Sequence, residues 1–326
     1  MNTAGPAELF CRATSQLATE VRAVQSTYGK HLRAAVAGVR AQIRDMPEVD
    51  RAGALRITPP SPENVVWLPG RVWPGEAERA ALPARGERPP RVWFRSDAVD
   101  YDILPDADGL PCGLSFTAME PDLARRTHWA RATDRRGDRE YEKATADAIR
   151  GRVGYQWVDR SDTEHVPAPW HHPGEDEQMF SVSPHGTPQY HEINVKVGHD
   201  SAGSPVYETV AVDGWAFGTY LSTNPDFWRI AERRGGDLVV TGCDIGGTPA
   251  RSTARILYSN GFERPVHGAT GGVWMQAHHP DGRLQAIEVP GKFDPQWDPH
   301  PTLSSLVVID GEFVTLHPSD FSTPAG

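Results

Sequence analysis

A cysteine and a histidine, each at the end of an apolar run, are the residues through which this sequence could do chemistry. Asp237-Leu-Val-Val-Thr-Gly-Cys243 carries three apolar residues to a small residue, Gly242, and then to a thiol. Asp244-Ile-Gly-Gly247 follows as a turn, and Ala250 to Asn260 has helical spacing. The pattern predicts a buried strand, a sharp turn and a helix behind it. A cysteine at such a strand end sits where open α/β sheets place their ligands. The helix N-terminus behind it favours thiolate over thiol. The competing reading is a small apolar residue closing a core strand, because free cysteine is among the most buried residue types. Upstream, Met179, Phe180 and Val182 predict a short strand that ends on His185-Gly186. A thiol attacks a carbonyl as thiolate, and a nearby imidazole promotes that state. The two residues stand 58 positions apart, enough for a strand, a turn and a helix between them.

Strand-then-His-Gly followed by strand-then-Cys resembles the caspase-like cysteine peptidases, a group that includes caspases, CHAT domains and toxin autoprocessing domains. The "lonely Cys" domains of large actinobacterial proteins are the nearest in look. The matching pieces are Val166-Pro-Ala-Pro-Trp170, the His185-Gly186 stretch, Val212-Asp-Gly with its following helix, and Gly268-Ala-Thr-Gly-Gly-Val-Trp274. They span roughly residues 165 to 290. The resemblance implies Cys243 as nucleophile and His185 as the base, or the acid that protonates the leaving amine. It implies an oxyanion hole from the backbone N–H groups of Gly186 and Cys243. Asp244 either caps the helix or lines a substrate pocket that would favour Arg or Lys, and His267 could line the same cleft. Among the rival histidines, His191 lies in an alternating run, Tyr190 to Val197, and reads as a strand surface residue.

Bulk composition narrows the classes. The formal charge of −10 opposes a duplex nucleic-acid binder, which needs a basic face. No run of about 18 apolar residues suggests a membrane span, and the first residues lack the basic and apolar regions of a secretory signal. Three scattered cysteines, Cys11, Cys112 and Cys243, give no disulfide framework or zinc spacing and fit a reducing, cytoplasmic setting. The doublets His171-His172 and His278-His279 read as loop residues, so no metal is expected, and no Walker lysine follows Cys243-Asp-Ile-Gly-Gly. No cofactor is expected.

These residues need a scaffold. Apolar positions from Leu17 to Met46 repeat every three or four residues and predict an N-terminal helical segment over 1–50, with a partner protein as one possible packing surface. Residues 51–150 are rich in proline and charge and read as an extension. A caspase-like domain is expected over 151–300, an α/β unit whose mostly parallel sheet is flanked by helices. Hairpins are expected at Pro280-Asp-Gly282 and at Asp310-Gly311, the latter forming a C-terminal hairpin and tail over 301–326. The expected function is a cysteine endopeptidase acting on a protein or peptide, processing its own chain or a partner effector protein. A non-catalytic interaction module on the same fold, or another thiol chemistry such as deamidation or acyl transfer, is the alternative.

Overall fold

The stretches Gln178–Ser183 and Gly235–Val240 are buried at almost every position, as strands covered on both faces must be. They lie at the centre of a computed structural model that describes residues 65–72, 91–116, 120–132, 134–135, 138–152, 155–172, 178–277, 284–288 and 303–321. In chain order the strands begin β1 (Trp67–Val72), β2 (Arg91–Arg95), β3 (Val99–Asp100), β4 (Asp102–Pro105), β5 (Pro111–Ser115), β6 (Asp134–Arg135), β7 (Glu140–Ala144), β8 (Ile149–Arg152), β9 (Tyr155–Val158) and β10 (Thr163–Pro167). They continue as β11 (Gln178–Ser183), β12 (His185–Gly186), β13 (His191–His199), β14 (Pro205–Val212), β15 (Gly235–Val240), β16 (Val266–Ala269), β17 (Gly272–Ala277), β18 (Leu284–Glu288), β19 (Leu303–Ile309) and β20 (Phe313–Leu316). The α-helices among the described residues are α1 (Glu120–Arg131), α2 (Gly214–Thr223), α3 (Pro225–Arg234) and α4 (Thr248–Ser259).

The central sheet has the order β20-β16-β15-β11-β5-β4. Its four middle strands are mutually parallel, and β4 and β20 close the edges antiparallel. One face packs Phe180, Val182, Leu238 and Val240 against α2, α3, α4 and the inner side of a second sheet, β12-β13-β14-β1-β2. The other face packs Met179 and Val239 against Trp129 of α1 and against a third sheet, β10-β7-β19-β17. A fourth sheet, β18-β9-β8, completes the architecture.

The expected mostly parallel sheet flanked by helices is corrected by this arrangement. The protein is strand-rich and its sheets are mostly antiparallel. The reason lies in the connections. A parallel pair needs a long crossover, commonly a helix, and among the described residues the α-helices lie on the crossovers of the central sheet. Elsewhere the strands pair antiparallel, except β19, which runs parallel to β6 and β7.

Local chemistry sets the helix ends. Asp213 accepts a hydrogen bond from the Ala216 N–H at 2.8 Å and caps α2, as the Val212-Asp-Gly motif suggests. Asn224 caps α3 through the Asp226 and Phe227 N–H groups, and Pro225 fits the first turn. Gly235 ends α3 with φ 73°, a left-handed conformation that glycine adopts without a Cβ penalty.

Residues 58–326 form one compact unit. The Pro-rich region is therefore not an appendage: β5 pairs directly with β11 in the parallel core. Two of its described prolines sit where a missing N–H is tolerated, Pro105 ending an edge strand and Pro111 starting β5. Neither expected hairpin forms as strand pairing. β19 pairs with β17 and β7 while β20 pairs with β16, so the Asp310-Gly311 turn hands the chain from one sheet to another. β18 pairs with β9 instead of β17, and the Pro280-Asp-Gly282 turn lies outside the described residues. The N-terminal helical segment, with Cys11, also lies outside them, as does His278-His279. No described helix is long and apolar enough to cross a membrane.

Candidate functional site

The pairing of β11 with β15 brings the two chemistry-bearing residues to one place. Phe180 pairs with Leu238, Ser181 with Val239 and Val182 with Val240, a constant offset of 58 residues. β11 ends at Ser183 and β15 at Val240, so His185 and Cys243 both follow the same end of this strand pair. Contact at the next position agrees: a Cβ built on Gly186 would lie 3.3 Å from the Cys243 nitrogen and 2.6 Å from its carbonyl oxygen, and would also collide with Ile245. The missing side chain of Gly186 thus faces the Cys243 turn. Glycine is required there for close backbone approach.

Pro184 separates β11 from β12, and His185-Gly186 forms the edge of the second sheet, with Gly186 opposite His191. His185 and Cys243 are each half-buried. Cys243 Sγ accepts from the Val273 N–H at 3.3 Å and reaches the Val273 carbonyl at 3.7 Å. β17 therefore holds the sulfur, a contact that sequence reasoning did not find. The N–H directed at sulfur favours the thiolate and the S–H donated to the Val273 carbonyl favours the thiol, so the two contacts oppose each other.

Behind the thiol the backbone is unusual. Asp244 has φ 55°, in the left-handed region, and its N–H donates to the Gly271 carbonyl at 2.9 Å. The Gly246 N–H donates to the Ala269 carbonyl at 2.6 Å. The turn is thus tied down from the ends of β16 and β17. Helix α4 starts at Thr248, and its N-cap, Gly247, makes no side-chain cap. Asp244 is not a capping residue. Cys243 stands one turn ahead of α4, not on its first residue.

His267 is not a cleft residue. It is fully buried on β16, with Nε2 2.8 Å from Asp237 Oδ2 and Nδ1 3.0 Å from Thr315 Oγ1. Trp170 packs edge-on at 5.5 Å. Burial pulls its pKa down, and Asp237 opposes that pull. Asp237 also meets His172 Nε2 at 3.2 Å, so this doublet histidine is a partner of a buried carboxylate. No group of three or more possible metal ligands occurs among the described residues.

His191 overturns its expectation as a surface residue. It is fully buried, stacks on Phe217 at 4.3 Å and meets Thr253 Oγ1 at 3.1 Å. In the alternation of Tyr190–Val197, His191 shares parity with the buried Ile193 and Val195, so the pattern itself puts it on the covered face, under α2 and α4. Burial lowers its pKa to about 3; the Pro249 carbonyl works the other way, without a well-formed hydrogen bond to Nδ1. The folded pKa lies below the unfolded value of about 6.5. Stability tied to neutral His191 is therefore intact above pH 6.5 and is lost as pH falls toward 3. His191→Gln should flatten the stability-versus-pH curve there by up to about 1.4 kcal/mol per pH unit. Urea titrations of both proteins between pH 4.5 and 8 test this, and parallel curves would refute it.

A cleft of about 620 Å³ lies between Lys143, Glu164, Thr270, Asp310 and Glu312. Neither His185 nor Cys243 lines it, so size alone does not mark the site. No protein-family model, curated protein or solved structure matches the chain.

Proposed function

We propose that the chain is a cysteine peptidase whose nucleophile is Cys243 and whose general acid–base is His185. The observation that supports this reading is that His185 and Cys243 follow the same end of two adjacent parallel strands, with Gly186 against the Cys243 backbone. Cys243 thiolate would attack a peptide carbonyl and form a tetrahedral oxyanion. Its collapse would expel the amine, protonated by His185, and leave a thioester. Water, deprotonated by His185, would then hydrolyse the thioester and regenerate the thiol. The N–H groups of Gly186 and Cys243 would serve the oxyanion. Asp244, half-exposed beside the nucleophile, would favour a basic residue in the substrate. Deamidation or acyl transfer would draw on the same pair, with a different acceptor or amide.

Thiol reactivity tests the reading without a known substrate. Limiting iodoacetamide at mildly acidic pH should label Cys243 before Cys112, which is buried in β5, and before Cys11. An ordinary thiol of pKa about 8.5 is almost wholly protonated there. Peptide mass mapping reads all three sites together. A Cys243 that reacts only after denaturant is added would be a core residue, and the reading would be abandoned.

A further inference from the structure

We propose that Ser183 and Thr241 are positioning residues, whose buried hydroxyl pair fixes the register at which His185 stands beside Cys243. The inference rests on the dyad reading above. Ser183 Oγ and Thr241 Oγ1 lie 2.7 Å apart, and both residues are buried. Each precedes its site residue by two positions, Ser183 as the last residue of β11 and Thr241 just past the end of β15.

The strand pair is otherwise apolar just below: Val182 faces Val240, and both are fully buried. A hydroxyl in such a place must find a partner. Among the described hydrogen bonds, each side chain's partner is the other. Sliding either strand by one residue would separate the hydroxyls and turn them to opposite faces. The Thr241 N–H adds a bond to the Val182 carbonyl at 3.0 Å.

The β11 end is also pinned from its other side. Arg126 of α1, itself buried, donates through Nη1 to the Ser183 carbonyl at 2.5 Å and to Ser115 Oγ at 3.0 Å. The Phe116 N–H donates to the same carbonyl at 3.1 Å. Ser115 ends β5 opposite Ser183, so the ends of three parallel strands are laced together immediately ahead of the candidate dyad. Among the described side-chain hydrogen bonds, Ser183–Thr241 joins the ends of β11 and β15, which makes it the contact to break.

The test measures the rate of Cys243 alkylation by iodoacetamide from pH 5 to 8 on the full native chain. Ser183→Ala and Thr241→Val should slow the reaction in the acidic range by roughly 10- to 100-fold, the scale of a misplacement near 1 Å. Both should approach the profile of His185→Ala. Thr241→Ser keeps the hydroxyl and should retain the wild-type profile. Val308→Ala, a buried change in the third sheet, should lower the melting temperature without altering the profile. If His185→Ala slows alkylation while both hydroxyl variants react like wild type, the pair is only structural and the proposal is overturned. If His185→Ala itself changes nothing, the dyad reading falls and takes the proposal with it. Should Thr241→Val fail to fold, Ser183→Ala decides alone.

Discussion

Cys243→Ala should abolish cleavage of any peptide the chain processes, and His185→Ala should lower turnover by roughly 10²–10⁴-fold, the range of a lost general acid–base. Alanine at position 243 has no nucleophile, so no thioester can form. Without the imidazole the thiol loses its proton acceptor and the leaving amine its donor. Both sites are half-buried at strand ends, and neither is among the large buried side chains of the core. Their truncation should therefore leave the urea midpoint nearly unchanged. Gly186 cannot give so clean a result, because any Cβ there collides with Ile245 and the Cys243 carbonyl. A Gly186 variant would move the Cys243 turn itself, so its loss of turnover could not be assigned to the oxyanion alone. The experiment incubates the purified chain and both variants with a mixed peptide library and follows new termini by mass spectrometry. Equal cleavage by Cys243→Ala would remove the peptidase reading, since Cys112 is buried at 2% exposure and offers no substitute thiol.

The two strands that lead to the candidate residues were legible in the sequence, and the architecture around them was not. Apolar runs ending in His185 and Cys243 were legible because a strand buried on both faces has an unmistakable composition. Asp213 and its helix were legible because capping is local chemistry. Pairing was not legible, because it is decided by partners far away in the chain. Glu312 to Leu316 looks like the return arm of a hairpin, yet it pairs with β16 and leaves β19 to β17 and β7. Proline density between residues 51 and 150 suggested a wrapping segment, yet Pro111 opens a strand of the parallel core. His191 was misread although its parity with Ile193 and Val195 puts it on the covered face, and His267 lies on a strand buried at every position, which leaves no open face. Val273 was out of reach for a different reason: its contact with the sulfur uses the backbone, which leaves no signature in residue type. One signal was available and carried no weight in the sequence alone. Ser183 and Thr241 precede His185 and Cys243 by the same two residues.

Phe217→Ala should cost about 3–5 kcal/mol, the usual range for emptying a buried phenylalanine site. Phe217 lies on the inner side of α2 and is fully buried. Its ring meets Phe116 edge-on at 5.4 Å and stacks on His191 at 4.3 Å. The helix is pressed onto α4 at the next residue, where a Cβ on Gly218 would lie 2.9 Å from the Thr253 carbonyl oxygen. Close backbone packing of that kind keeps α2 from sinking into the space the ring leaves. Phe116 and His191 are each fixed by strands, so the cavity should remain open and the penalty should stand near the upper part of the range. A second consequence follows through His191. Water admitted beside the imidazole relieves the burial that holds its pKa near 3 and should raise it toward the ordinary value of about 6.5. The acid-dependent part of stability assigned to His191 should then shrink in Phe217→Ala. Urea unfolding at pH 8 measures the first effect, with the slope m unchanged if only stability has moved. Repeating it at pH 5 measures the second. A loss below about 1 kcal/mol at pH 8 would mean that α2 repacks freely and that Phe217 is not the joint between the helices and the second sheet.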